Sequence, residues 1–238
     1  MCRKHGFTLI ELLVVVAVIA LLLGILLPAL TRARDRSRLI KCQANLRTIG
    51  HGVEFYLGDN RDFFPDAPFY GCLGYVGRSL YHNLLGSRIP EDQRPLNAYF
   101  DVERSVDLEL SVTEEGQNLP FECPSDKGDA YFDLEGTYFV EHGSSYTYAS
   151  HCYDPFVPTF GILSCRGLNR AKVRNSTKKI TFQEPVLAPS FDMSDDLAHW
   201  HDTQRNHGNV LFADGHVELI YTQIFEWDAD PNEFNPYY

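Results

Sequence analysis

From Phe7 to Leu30 the chain is almost wholly apolar, with Thr8 and Glu11 as the main interruptions. A helix of roughly 20 residues crosses a hydrocarbon core about 30 Å thick, so this stretch predicts a membrane-spanning helix over 7–30. A secretory signal has a shorter apolar core of about 7–15 residues followed by a small-residue cleavage site. Leu26-Leu27-Pro28-Ala29-Leu30 does not suit such a site, which favours a retained anchor. Polar residues return after Leu30, but Leu39, Cys42, Leu46, Ile49, Val53 and Tyr56 recur at alternating spacings of three and four. Such spacing draws one apolar stripe, so the helix is expected to continue over 31–57 and pack that stripe on a globular domain.

Gly58 to Pro68 is rich in turn formers and ends the helix. Residues 69–122 read as irregular, with a short helix expected at 78–86. The second half alternates in the manner of strands at Ser145 to Ser150, Lys179 to Glu184, Asn209 to Ala213 and His216 to Tyr221. Asp214-Gly215 lies between the last two and suits a two-residue type I′ turn, which needs positive φ at both positions. The expected fold class is α+β: a long N-terminal helix packed on an antiparallel sheet, with residues 58–238 forming one globular domain. The tail from Asp228 to Tyr238 is acidic, aromatic and expected to be irregular.

The formal net charge is -11. Nucleic-acid binding needs clustered Lys and Arg on an exposed face, so nucleic acid is not an expected partner. Arg32, Arg34, Arg36, Arg38 and Lys41 do cluster, directly after the apolar stretch. The positive-inside tendency alone would put that cluster in the cytoplasm, although arginine also binds lipid headgroups. Glu11 is an anomaly, because a carboxylate at mid-membrane costs about 2.5–3.5 kcal/mol on insertion scales, and less near the interface. It snorkels, is protonated, or has a positive partner.

Lys4-His5-Gly6-Phe7-Thr8-Leu9-Ile10-Glu11-Leu12-Leu13-Val14-Val15 resembles the cleavage and methylation segment of type IV prepilins and type II secretion pseudopilins. The resemblance implies that a prepilin peptidase removes residues 1–6 by cutting after Gly6 and that Phe7 becomes the methylated N-terminus. It further implies that Glu11 pairs with the amino terminus of a neighbouring subunit. Pairing of that kind lowers the cost of the buried charge. Pro28 matches a family position where the helix kinks or melts. The expected location is the bacterial inner membrane, single-pass, with the domain outside the cytoplasm because the leader directs export. Loss of Arg3 and Lys4 would take the net charge from -11 to -13. Of the six cysteines, cleavage would leave Cys42, Cys72, Cys123, Cys152 and Cys165, enough for at most two internal disulfides. No Cys-x-x-Cys pair occurs, and the connectivity cannot be read from spacing. Cys42 on the helix stripe is either a small buried apolar residue or one end of a disulfide.

Asn209-Val210-Leu211-Phe212-Ala213-Asp214-Gly215-His216-Val217 resembles the end of a processing-associated motif, a His, nine residues and Asp-Gly. That motif accompanies prepilin leaders in planctomycete-type proteins described as type II secretion protein G-like. Here His207 precedes Asp214 by six intervening residues and His201 by twelve, so the spacing departs from the motif. Cys42 to Arg47, Cys123 to Asp126 and Ser145 to Tyr148 also resemble segments of that family.

His199, His201, His207, Asp214 and His216 are close in sequence, and imidazole with carboxylate suits zinc-like ions. His207, Asp214 and His216 are the metal candidates, against a reading in which Asp214 and Gly215 serve the turn and His216 opens a strand. Asp192, Asp195 and Asp196, or Asp59 and Asp62, can supply oxygen ligands to calcium, but without EF-hand spacing. No cofactor is otherwise expected. The chain has no Gly-x-Ser-x-Gly, no His-Glu-x-x-His and no phosphate loop, so a catalytic role is not expected. The expected function is that of a pseudopilin-like subunit assembling with other pilin-like subunits into a pilus or type II secretion pseudopilus. The alternative is a monomeric membrane-anchored protein that binds a ligand or metal and uses the leader for export.

Overall fold

The computed structural model describes residues 8–65, 80–82, 87–89, 94–100, 120–128, 137–139, 143–148, 169–173, 175–184, 200–201 and 207–221. Helix α1 spans Leu9–Asp59 as a single 51-residue element. It runs unbroken through Pro28, so the helix does not melt at the position where the resemblance implied a kink or melting. Proline removes the donor that would meet the Gly24 carbonyl, and in the next turn Thr31 Oγ1 donates to the Leu27 carbonyl at 3.1 Å.

The helix changes character along its length. Every residue from Thr8 to Arg38 is exposed. Beyond that point Cys42, Leu46, Ile49, Val53 and Leu57 are buried, and Leu39 and Tyr56 are half-buried at the margins of the stripe. The stripe packs on a four-stranded antiparallel sheet of order β3-β4-β5-β6: Thr147–Tyr148, Ile180–Gln183, His207–Phe212 and Val217–Tyr221. The fold is therefore α+β, with the helix against β5 and β6. Gly50 allows the closest approach, since a Cβ there would meet Leu211 Cδ1 at 3.0 Å. The buried core includes Phe121, Tyr146, Phe182 and Leu211, with Val210 and Ile220 on the other face of the sheet from Leu211. Phe100 crosses Phe121 edge-on at 5.1 Å.

Two local expectations are corrected. Residues 78–86 hold no helix among the described positions; Leu80–His82 (β1) pairs antiparallel with Ser87–Ile89 (β2). Pairing between the two three-residue strands supplies the backbone hydrogen bonds that a helix would have made within the segment. The Asp214-Gly215 connection is a hairpin turn of a different type. Gly215 has φ 88°, while Asp214 is not among the residues of positive φ. Gly215 N donates to the Phe212 carbonyl and Phe212 N to the His216 carbonyl, both at 2.9 Å. That is a type I turn followed by a left-handed residue, which frees Asp214 from the strained conformation a type I′ turn would demand.

Candidate functional site

The N-terminal segment is built by local hydrogen bonding. Thr8 caps α1 and forms a capping box with Glu11. Thr8 N and Oγ1 donate to Glu11 Oε2 at 2.8 and 2.9 Å, and Glu11 N donates to Thr8 Oγ1 at 3.3 Å. Glu11 is thus held at the helix start, a favourable place for a carboxylate. Gly6 and Phe7 lie outside the described residues. The apolar side chains from Leu9 to Leu30 stand bare around the cylinder, and α1 is long and apolar enough to cross a membrane. The basic cluster follows on an exposed stretch, where Arg32 Nε donates to the Pro28 carbonyl at 3.2 Å and Arg38 lies 3.8 Å from Asp35.

The three metal candidates of the hairpin do not converge. His207 pairs with Tyr221 at the open end of β5 and β6. Asp214 and His216 contact one another at the turn, roughly 17 Å away at about 3.3 Å per strand residue. His216 also stacks on Phe212 at 4.2 Å. Of the calcium candidates, Asp59 accepts from the Tyr99 hydroxyl at 3.0 Å and Asp62 lies 3.9 Å from Arg170. Asp192, Asp195, Asp196 and His199 lie outside the described residues, as do Cys72, Cys152 and Cys165.

A polar centre that sequence reasoning did not assemble is buried where α1 meets the sheet. Cys42 of α1 and Cys123 form a disulfide. His201 Nε2 lies 3.7 Å from Cys123 Sγ and 2.8 Å from Glu184 Oε1. A carboxylate only accepts, so the imidazole holds its proton on Nε2 toward Glu184. The side chains of His201 and Glu184 are both buried, where an unpaired charge would be expensive. Asn209 completes the pairing: its N and Nδ2 donate to Glu184 Oε2 and Oε1 at 2.8 and 3.0 Å. Gln43 Nε2 donates to Asn209 Oδ1 at 3.1 Å, tying the centre back to α1.

The loop carrying Cys123 is fixed as firmly. Cys123 N donates to Ser145 Oγ at 3.0 Å, and that hydroxyl donates to Asp126 Oδ2 at 2.6 Å. Asp126 also accepts from the backbone of Gly128, Tyr138 and Phe139. The Tyr146 hydroxyl donates to the Cys42 carbonyl at 3.3 Å. Burial first, and then the nearby Glu184 charge, hold that phenol well above its usual range. Sequence reasoning weighed Cys42 and His201 separately and read Glu184 only as a strand end. The signal was a carboxylate at the end of a β-rich segment, beside Pro185.

Residues 1–27 match the family model of the prokaryotic N-terminal methylation motif. The chain is similar to the type IV wide pilus major component PilA4 of Thermus thermophilus, at 43% identity over 63 residues, 26% of this chain and 48% of that protein. It therefore spans about half the length of that curated relative. No solved structure matches the chain. The chain carries a prepilin-type methylation motif and has weak similarity to a type IV pilin.

Proposed function

We propose that this chain is a pilin-like structural subunit, anchored in the inner membrane by α1, cut between Gly6 and Phe7, and assembled laterally into a type IV pilus or type II secretion pseudopilus. The observation that carries the reading is the division of one continuous helix. One face of its second half is buried against the sheet, whereas its first half leaves every side chain from Leu9 to Leu30 exposed. An apolar surface of that extent requires lipid or other helices around it. The methylation motif and the pilin similarity support a pilin-like subunit. The domain then lies outside the cytoplasm, where a Cys42–Cys123 disulfide persists.

Glu11 supplies the test. In the single chain its carboxylate serves the capping box; after cleavage Phe7 carries a positive amino group, and Glu11 of a neighbouring helix neutralises it where water is scarce. Glu11→Ala and Glu11→Gln are expected to leave cleavage intact and to lower the yield of crosslinked oligomer at equal membrane abundance. Intact mass reports the cut. Equal crosslinking in wild type and variants, or no oligomer in either, would favour the monomeric anchored protein.

A further inference from the structure

We infer that Cys42, Cys123, Glu184 and His201 form a centre with two exclusive cross-links: a disulfide when oxidised and, when the cysteines are reduced, a site for one divalent cation of the zinc class. The four side chains come from α1, the loop at 120–128, the end of β4 and the segment before β5. Yet one ligand atom from each lies within 4.8 Å of the others. Two thiolates, an imidazole and a carboxylate are the donor types that zinc takes in tetrahedral sites.

The distances suit this exchange. Metal–ligand lengths of about 2.0–2.3 Å place donors on a tetrahedron's edges roughly 3.3–3.8 Å apart. His201 Nε2 to Cys123 Sγ is already 3.7 Å. His201 Nε2 to Glu184 Oε1, at 2.8 Å, is shorter because a proton joins them; a cation in its place requires a shift of about half an ångström. The sulfurs must part once their bond is broken. The surroundings are those of a held ligand set. Asn209 orients Glu184, and Gln43 orients Asn209, the kind of outer hydrogen bonding that positions metal ligands.

Stability alone does not account for the pair. Replacing both partners of a buried hydrogen bond by apolar groups of the same shape is often nearly neutral or stabilising. The imidazole is also incompletely satisfied: Nδ1 of His201 is buried and has no hydrogen-bond partner among the described residues. Nε2 is approached at 3.1 Å by Asn209 Nδ2, a donor that cannot bond to a protonated nitrogen.

The chemistry balances with a thiol reductant. The disulfide takes two electrons and two protons from an external dithiol, which becomes a disulfide. The two protein thiols then release two protons as the cation binds. Either cross-link ties α1 to the same loop, so the helix stays fastened to the domain in both redox states.

The full chain in detergent, reduced under anaerobic conditions and stripped of metal, is titrated with cobalt and then with zinc. One equivalent of cobalt is expected to give thiolate-to-metal charge transfer and the intense visible bands of tetrahedral cobalt, both erased by zinc. Oxidised protein gives neither. His201→Ala and Glu184→Gln are each expected to weaken binding at least tenfold, and serine at Cys72, Cys152 and Cys165 together leaves it unchanged. For variants that do not fold, reduced wild type is alkylated with and without zinc, and zinc is expected to protect Cys42 and Cys123 selectively. Absence of stoichiometric cobalt binding, undiminished affinity in both the His201 and Glu184 variants, or equal alkylation of all cysteines would overturn the inference.

Discussion

Gly52 lies on the buried face of α1 with no room for a side chain: a Cβ there would stand 2.3 Å from the Phe100 ring. That ring is itself held edge-on against Phe121, so it cannot swing aside without disturbing the core. Gly52→Ala gains helix propensity of about 1 kcal/mol but meets an overpacking cost of about 1–3 kcal/mol. A lower urea midpoint is expected; an unchanged or raised one would mean that Phe100 yields freely. Lys179 poses an electrostatic question. Burial pushes its ammonium down to about 8, against about 10.4 in an unfolded chain. Below pH 8 the group is charged in both states and the desolvation penalty is fully present. Between about 8 and 10.4 the unfolded chain binds more protons, so stability rises with pH and the penalty disappears. Lys179→Met is therefore expected to be more stable than wild type at pH 7 and to lose that advantage by about pH 10.5. Urea midpoints of both proteins at the two pH values decide it, and a pH-independent difference would refute the burial argument.

At the scale of elements, legibility followed sequence distance. The buried face of α1 was visible in the three-and-four spacing from Leu39 to Tyr56, because helix periodicity reports burial directly; the structure buries four of those side chains and half-buries the two at the ends. The β5–β6 hairpin was visible in Asp214-Gly215, but its turn type was not. Turn residues permit more than one geometry, and only Gly215 adopts positive φ here. Gly215→Ala should accordingly cost about 1–2 kcal/mol, the usual penalty for a left-handed non-glycine residue, whereas Asp214→Ala should cost less. Similar losses at the two positions, measured by urea denaturation, would restore the type I′ reading. The β1–β2 pair was missed because Leu80 to Leu85 satisfies a helical pattern equally well over so few residues. The buried centre escaped for a different reason. Its members stand at 42, 123, 184 and 201, and neither periodicity nor motif spacing links residues that far apart.

Across the whole molecule, one helix serves two environments, and Cys42 sits just past the change from the bare to the packed half. Its bond to Cys123 spans a sequence separation of 81 residues, so it closes a long loop and links the helix to a loop of the domain. On the chain-entropy account, a loop of that length contributes about 4.5 kcal/mol by restricting the unfolded chain. The opposing view is that Leu46, Ile49, Val53 and Leu57, all buried, hold the domain on the helix without it. Removing both sulfurs with Cys42→Ala and Cys123→Ala separates the two, since neither partner of the bond is then left as a lone thiol. The double variant, oxidised and in detergent, is expected to keep its helical circular dichroism and to unfold at a clearly lower urea concentration than wild type. Wild type treated with a thiol reductant and a chelator should fall to the same midpoint, because neither cross-link is then available. Equal midpoints for the oxidised proteins would assign the attachment to apolar packing alone. A gap that reductant and chelator fail to close would place the loss in the altered packing around the alanines rather than in the cross-link.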